Sequence, residues 1–156
     1  MDTGLVIGAG AGVGIQISRQ LADARYQVSG LAAIRVFRAA EALGWRRVIL
    51  ISAYGTESGD PEGYNAGWWK YYYAAKQALM ASTLPWTILR PGGLTDQPGT
   101  GRVQLGAHVP FGDIPRADVA ATAVAVLASP ASAGRAWSLV SGTTPVTEAV
   151  TAVAEG

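Results

Sequence analysis

The sequence predicts an α/β fold in which a mainly parallel sheet is covered by helices on both faces. Short β-like runs alternate with helix-like runs along the 156 residues, an arrangement typical of strand–helix–strand units. The strongest strand, residues 47–52, is an unbroken run rich in β-branched side chains, as expected of a strand buried on both faces. Because no internal repeat or low-complexity linker occurs, we expect residues 1–156 to form a single domain.

The elements are predicted from local patterns taken in chain order. Apolar residues at helical spacing indicate helices, and β-branched or aromatic runs indicate strands. Glycine marks the ends of helices, as Gly44 does for the second predicted helix. The predicted elements are a strand at 5–7, a helix at 12–24, a strand at 26–29, a helix at 32–43, the strand at 47–52, a helix ending near 82, strands at 86–90 and 102–105, a helix at 118–127, an extended segment at 136–140 and a helix at 146–153.

The composition excludes several classes of function. The 12 basic and 11 acidic residues give a net charge of +1, which leaves no electrostatic footprint for nucleic acid. No apolar run approaches membrane-spanning length, and the acidic start of the chain lacks the basic region of a signal peptide. Because there is no cysteine and only one histidine, His108, no metal site is predicted. We therefore expect a cytoplasmic protein that acts on a small molecule and binds neither nucleic acid nor membrane.

The glycine-rich segment after the first predicted strand is a candidate phosphate-binding loop. Gly8, Gly12 and Gly14 fit the spacing GxxxGxG, whereas the spacing GxGxxG is absent. Glycines at a strand-to-helix turn let the backbone approach a phosphate, and the N–H groups and dipole of a helix N-terminus favour that anion. The alternative is that small residues only allow close packing of strand and helix. We predict that the loop, with Gly10 and Val13, binds a dinucleotide.

The aromatic segment WWKYYYAAKQ, residues 68–77, contains one tyrosine with a lysine four residues on, Tyr72 with Lys76. Residues i and i+4 lie on one face of a helix, so these two side chains can act together in proton transfer. The other aromatic residues, Trp68 and Trp69 among them, spread around the helix, so some must be exposed or lie in an interface. We expect a packing surface that includes a dimer contact, with an aromatic wall for an apolar substrate as the alternative.

Four further segments carry a family resemblance: YYAAK at 72–76, WTILRPGGLTD at 86–96, PGTGRV at 98–103 and IPRADVA at 114–120. Together with the glycine loop they resemble the atypical, NAD(P)H-binding branch of the short-chain dehydrogenases/reductases. The resemblance covers roughly residues 5–30 and 36–150. It implies a Rossmann-like fold, NADP or NAD as cofactor, and an oxidoreductase activity.

The resemblance also implies a role for each matching residue. Tyr72 would be the general acid that protonates a carbonyl oxygen, and Lys76 would lower the pKa of Tyr72 and hold the nicotinamide ribose. Ser52 would stand at the position of the family's catalytic serine. The implied cofactor-binding residues are Gly8, Gly10, Gly12, Val13, Gly14, Arg35, Pro91, Gly92 and Gly93. The implied substrate-binding residues are Tyr54, Trp68, Trp69, Leu94 and Thr95.

Three features depart from the family pattern. Ala53 replaces the usual second serine, and no acidic residue follows the second strand, which leaves Arg35 and Arg38 as candidates for a ribose 2′-phosphate. The segment between the second strand and residue 47 is too short for another strand–helix unit. Five main strands with right-handed crossovers then give the order 2-1-3-4-5 in a three-layer Rossmann-like fold. We expect the groove to be reduced on the adenosine side and kept beside Tyr72.

These features leave three hypotheses about function. The first is an NAD(P)-dependent oxidoreductase that reduces a carbonyl group of an apolar small molecule, with Tyr72 as acid and Lys76 as its activator. The second is a cofactor-independent isomerase, cyclase or dehydratase that uses the same pair, and the third is a non-catalytic nucleotide-binding module. The GxxxGxG spacing favours the first, whereas the missing acidic residue and the short central region favour the others. A homo-oligomer, in the simplest case a homodimer, is expected in each case.

Overall fold

The computed structural model describes residues 4–8, 26–29, 33–57 and 66–156, with side chains at 34–57 and 72–156. Strands and helices follow one another along these segments, with four strands in succession between residues 86 and 115. The strands are β1 (Gly4–Gly8), β2 (Tyr26–Ser29), β3 (Arg47–Ile51), β4 (Trp86–Pro91), β5 (Gly93–Thr95), β6 (Arg102–Gly106), β7 (Asp113–Pro115), β8 (Arg135–Ser141) and β9 (Thr144–Pro145). The helices are α1 (Ala33–Ala42), α2 (Ala66–Met80), α3 (Arg116–Leu127) and α4 (Val146–Glu155), with a 3₁₀ turn at Pro130–Ser132.

The main sheet has the strand order β2-β1-β3-β4-β8-β6-β9. The first five strands are parallel neighbours, which confirms the predicted order 2-1-3-4-5, with β8 as the fifth strand. β6 is antiparallel to both β8 and β9. A separate two-stranded parallel sheet pairs β5 with β7. This small sheet and β9 were not predicted, because strands of two or three residues show no periodicity.

Successive side chains of β3 point to opposite faces of the sheet, and both faces are covered. Val48 and Leu50 pack with residues of α1 and α2 on one face. Ile49 and Ile51 pack with residues of α3 and α4 on the other. All five residues of β3 are buried. The unbroken apolar run therefore marks the centre of a three-layer fold, as predicted.

The predicted element boundaries agree with the structure to within a few residues. α1 is followed by Gly44 with φ 65°, the left-handed conformation that a glycine after a helix adopts readily. α2 ends at Met80, two residues before the predicted end, and α3 begins at Arg116 rather than 118. The helix predicted at 12–24 lies outside the described residues.

Candidate active site

The carboxyl ends of the central parallel strands meet at one edge of the sheet. Gly8, the last residue of β1, is paired with Ile51 of β3, and Ile51 is paired with Leu89 of β4. Ser52, the next residue of the chain, continues this pattern, because its amide donates to the carbonyl of Leu89 at 2.7 Å. Ligands of open α/β sheets bind in the crevice at this edge. The edge is therefore the candidate site, and Gly8 places the start of the glycine loop beside Ser52.

A chain of hydrogen bonds fixes the direction of the Ser52 hydroxyl. Thr56 Oγ1 donates to the carbonyl of Ala53 at 2.7 Å, because a carbonyl can only accept. The proton shared by Ser52 Oγ and Thr56 Oγ1, 3.0 Å apart, must then come from Ser52. Both side chains are buried. In this arrangement Ser52 has no proton left to donate to a substrate.

The predicted catalytic lysine is held against the loop that follows β3. Lys76 Nζ donates to the carbonyl oxygens of Thr56 at 3.3 Å and Glu57 at 3.2 Å. The same ammonium lies 5.6 Å from the centroid of the Tyr73 ring. Thr56 therefore touches Ser52 with its side chain and Lys76 with its main chain. The structure brings these two predicted residues into one network.

Tyr72 lies one helical turn before Lys76 on α2 and is partly buried. Burial raises its pKa above the ordinary value, since the phenolate would lose solvation. In this arrangement the Lys76 ammonium donates to two main-chain carbonyls. That Lys76 lowers the pKa of Tyr72 during the reaction stays a prediction. Because burial raises its pKa, Tyr72 is kept as a protonated phenol, the form required of an acid.

Arg90 and Glu57 form a charge pair beside this network, which sequence reasoning missed; the Arg90 side chain is buried and that of Glu57 is partly exposed. Arg90 Nε lies 3.7 Å from Glu57 Oε2 and donates to Ser138 Oγ at 3.2 Å, while Nη2 donates to the carbonyl of Ala107 at 2.9 Å. Burial lowers the pKa of Arg90, and the charges of Glu57 and Tyr54 oppose this shift. An arginine inside an otherwise apolar strand was the available signal, since charged residues are rarely fully buried without a partner.

Tyr54 is the described aromatic of the loop after β3 and forms part of a side wall. Its hydroxyl donates to the carbonyl of Val109 at 2.7 Å, and its ring meets Phe111 edge to face, with centroids 5.3 Å apart. Phe111 is itself 61% exposed. The segment between β6 and β7 is therefore tied to the loop after β3. His108 lies exposed in this segment.

The turn after β4 is packed tightly against the residues that lead into β7. A Cβ on Gly92 would lie 1.9 Å from the carbonyl oxygen of Gly112, and one on Gly93 would lie 2.2 Å from Asp113 Oδ1. Gly92 is thus required by the contact between two chain segments, whereas the exposed Asp113 side chain can move away from a Cβ on Gly93. Pro91 is buried at the end of β4. Whether the three residues also lie beside a nicotinamide stays a prediction.

Asp118 fixes the loop that follows β5, and its role is structural. Its buried carboxylate accepts hydrogen bonds from the amides of Thr100 at 2.9 Å and Gly101 at 2.8 Å, and from the Thr100 hydroxyl at 3.1 Å. Arg116, two residues before Asp118 on α3, pairs with Asp96 at 2.9 Å.

The remaining predicted residues are spread over several elements. Arg35 is exposed in the first turn of α1, and Leu94 and Thr95 are partly buried in β5. Trp68 and Trp69 belong to α2, but their side chains lie outside the described part of the chain. Gly10, Gly12, Val13 and Gly14 are also outside it. Their roles stay predictions.

The part of the chain that the structure describes contains neither a membrane-spanning helix nor a metal-binding cluster. None of its helices is long and apolar enough to cross a membrane. Nor do its histidine, aspartate and glutamate side chains gather in a group of three or more that could hold a metal ion.

Comparison with known proteins assigns the chain to a family. The sequence profile of a family described as NAD(P)H-binding matches residues 5–130. The chain belongs to this NAD(P)H-binding family. This membership agrees with the resemblance of the glycine loop and the RPGGLTD segment to NAD(P)H-binding dehydrogenases.

The NAD(P)H-binding chain is similar to a curated protein of Bacillus subtilis (strain 168) named "Uncharacterized sugar epimerase YhfK". The two are 39% identical over 121 residues, which make up 76% of this chain and 56% of that protein. The chain therefore spans about half the length of this relative.

Solved structures share the fold. The oxidoreductase ylbE of Lactococcus lactis superposes with a TM-score of 0.80 at 21% identity, covering 99% of this chain and 98% of that one. A short-chain dehydrogenase/reductase of Veillonella parvula in complex with NADP gives a TM-score of 0.69 at 14% identity, covering 92% and 96%. At these identities the likeness establishes the Rossmann-like fold of the chain.

Proposed function

We propose that the chain is an NAD(P)-dependent oxidoreductase that reduces the carbonyl group of an apolar small molecule. The observation that carries the proposal is the network at the carboxyl edge of the sheet. Lys76 is joined through Thr56 to Ser52, and the protonated phenol of Tyr72 lies one turn away on the same helix. Membership of the NAD(P)H-binding family supports it.

The described residues fit a nicotinamide nucleotide at two points. β1 ends in Gly8 at the carboxyl edge, where a glycine lets a ligand approach the backbone. The Lys76 ammonium, at the same edge, donates to main-chain carbonyls at 3.2 and 3.3 Å. These are long contacts for a charged donor, so ribose hydroxyls could take their place. A bound nucleotide would supply the hydride that reduces the carbonyl carbon.

The residues of the chain would supply the proton and would position the groups that transfer it. Tyr72 would donate its phenolic proton to the carbonyl oxygen as the carbon–oxygen double bond becomes a single bond. The positive charge of Lys76 would stabilise the phenolate left behind, and solvent would return the proton. Ser52 would position Lys76 through Thr56, since its own proton is already donated. In this proposal Ser52 acts through other residues.

NADP is the preferred nucleotide in this proposal. Arg35 is exposed and follows the second strand by a few residues, where a guanidinium could bind a ribose 2′-phosphate in bidentate fashion. The complex of the Veillonella parvula protein with NADP supports this choice. Arg35→Ala should therefore weaken binding of NADPH and leave binding of NADH unchanged.

Calorimetric titration of the nucleotide-free protein with NADPH and then NADH tests the proposal. Micromolar binding of NADPH, weakened about tenfold or more by Arg35→Ala, is the expected result. Arg102→Ala is the matched control, because Arg102 is an exposed arginine of β6 that donates to the carbonyl of Thr143. Absence of binding to either nucleotide would remove the proposal.

A cofactor-independent isomerase is the second candidate; the name of the Bacillus subtilis relative, a sugar epimerase, favours an isomerisation and says nothing about the cofactor. The same tyrosine and lysine would then move a proton without hydride transfer. The two candidates differ in one measurable respect. Activity of an isomerase of this kind would survive complete removal of nicotinamide nucleotides, whereas that of the oxidoreductase would not.

A further inference from the structure

Two neighbouring carbonyl groups hold the Lys76 ammonium, and each has an anchor of its own. Lys76 Nζ donates to the carbonyl of Thr56 at 3.3 Å and to that of Glu57 at 3.2 Å. The chain of hydrogen bonds from Ser52 fixes Thr56, whose Oγ1 donates to the carbonyl of Ala53. That chain does not include Glu57, so the anchor of the second carbonyl lies elsewhere.

The side chain of Glu57 supplies this second anchor by pairing with Arg90. Its Oε2 atom lies 3.7 Å from Arg90 Nε and accepts no hydrogen bond. At this distance the attraction of opposite charges, rather than a directed hydrogen bond, holds the two groups together. Because Arg90 and the Oε2 atom are both buried, salt and water screen this attraction less than they would at the surface.

Arg90 is itself fixed by two other parts of the fold. Its Nε donates to Ser138 Oγ of β8 at 3.2 Å, and its Nη2 donates at 2.9 Å to the carbonyl of Ala107, in the segment between β6 and β7. The guanidinium is therefore a fixed point of the sheet, and the end of the turn after β3 is attached to it through the Glu57 carboxylate.

We propose that Arg90 is a positioning residue for Lys76. By holding the Glu57 carboxylate, Arg90 places the Glu57 carbonyl against the ammonium and so keeps Lys76 at the carboxyl edge of the sheet, ordered for a nicotinamide nucleotide. This inference rests on the proposed function, which gives Lys76 that ligand. It assigns a task to the charge of Glu57, so loss of that charge alone should release Lys76.

The two lysines of the chain provide an internal comparison for the test. Lys70 and Lys76 are the only lysines of the sequence, and both belong to α2. In the full chain carrying ¹³C-labelled lysine, the side-chain signals therefore come from two residues, and a Lys70→Arg variant assigns them. The relaxation of each signal reports how ordered that side chain is.

Three variants are compared with the wild type. Glu57→Gln is the principal one, because it removes the charge of a partly exposed side chain and keeps its size. Arg90→Met removes the other partner, together with the donors to Ser138 and Ala107, and Glu57→Gln decides the matter if Arg90→Met does not fold. Glu148→Gln on the exposed surface of α4 is the control for loss of one negative charge.

In Glu57→Gln and Arg90→Met the Lys76 signal should shift and lose order, while the Lys70 signal stays as in the wild type. Glu148→Gln should match the wild type at both lysines. An unchanged Lys76 signal in Glu57→Gln would overturn the proposal. An equal change at Lys70 would also overturn it, because a general loosening of α2, and not the position of Lys76, would then be the effect.

Calorimetry with NADPH tests the consequence for binding. Glu57→Gln should weaken NADPH binding by about threefold or more in the wild-type background, because an ordered Lys76 is lost, and should cause no further weakening in a Lys76→Met background. Equal weakening in both backgrounds, or none in the wild type, would overturn the proposal. If NADPH does not bind to the wild type, the proposed function has failed, and the lysine signals of the nucleotide-free chain alone decide this inference.

Discussion

Ser52 donates its hydroxyl proton to Thr56, and Thr56 passes its own to the carbonyl of Ala53. The two hydrogen bonds thus run in one direction, from Ser52 to Thr56 and from Thr56 to a main-chain carbonyl. A serine in a dehydrogenase site is expected to donate to the substrate oxygen. Here the direction of the chain gives that serine a different task, which is to hold the loop that carries the contacts of Lys76.

Ser52→Ala should therefore affect stability more clearly than chemistry. Loss of one buried hydrogen bond should lower the free energy of unfolding by about 1 kcal/mol. Turnover should fall by less than about tenfold, because the lost proton was not available to the substrate. Urea unfolding and steady-state kinetics on the same preparation check both values. A loss of turnover of a hundredfold or more with normal stability would show that Ser52 acts on the substrate.

Tyr72→Phe should remove most of the activity while leaving the cofactor in place. Loss of a general acid lowers turnover by about 10²–10⁴-fold. The affinity for NADPH, measured by calorimetry, should stay within about twofold, since the phenol acts on the substrate. Tyr73→Phe is the control, because it deletes a hydroxyl from the same helix and keeps the ring near Lys76. Preserved turnover in Tyr72→Phe would exclude Tyr72 as the acid.

The ionisation of Tyr72 should occur at higher pH than that of an ordinary tyrosine. Burial raises its pKa from 10.0 in the nucleotide-free chain. A pKa that is higher in the folded state means that the phenol contributes stability below about pH 10, which is lost as pH rises through the folded value. Spectrophotometric titration of the wild type minus Tyr72→Phe isolates this phenolate. A difference curve centred at or below pH 10 would contradict the burial.

Arg47 lies at the opposite end of β3 from the candidate site. Its replacement therefore tests the structure away from that site. Its guanidinium donates to the carbonyl of Pro85 at 3.0 Å, to Thr87 Oγ1 at 2.7 Å and to Ser132 Oγ. Burial lowers its pKa to about 10. Arg47→Met should lower the free energy of unfolding by about 3 kcal/mol, because Thr87 Oγ1 and Ser132 Oγ are left buried without a donor, whereas the carbonyl of Pro85 keeps its bond from the amide of Val48.

The nucleotide affinity of Arg47→Met should remain that of the wild type. Urea unfolding measures the change in stability, and NADPH titration at a temperature below thermal unfolding measures the change in affinity. A change in affinity with unchanged stability would mean that Arg47 communicates with the carboxyl edge of the sheet.

The order of the main strands could be predicted from the sequence because each strand has a local signature. The apolar runs at 47–52 and 86–90 and the glycine at 44 are properties of single segments, and crossover handedness restricts their arrangement. The apolar neighbours of Arg90 indicate that it needs a partner, but they could not identify Glu57, because that residue lies in a distant segment.

The structure describes only some of the residues to which the family resemblance assigns a role. Ser52 and Lys76 are brought into one network, whereas the glycine-loop residues 10–14 lie outside the described part of the chain. Contacts within one chain cannot test the expected homo-oligomer, which stays a prediction. Tyr73 and Met80 of α2 are partly exposed and are the first positions to examine for it.

The contact between Gly92 and Gly112 has a consequence for how new specificities could arise. There is no room for a single carbon atom between Gly92 and the carbonyl of Gly112, and the amide of Gly93 donates to that carbonyl, so the two pieces of chain are held against each other. Tyr54 attaches the loop after β3 to the same body through Val109. Evolution of this protein toward other ligands is then expected to proceed by exchange of side chains such as Phe111, while the backbone around them is retained.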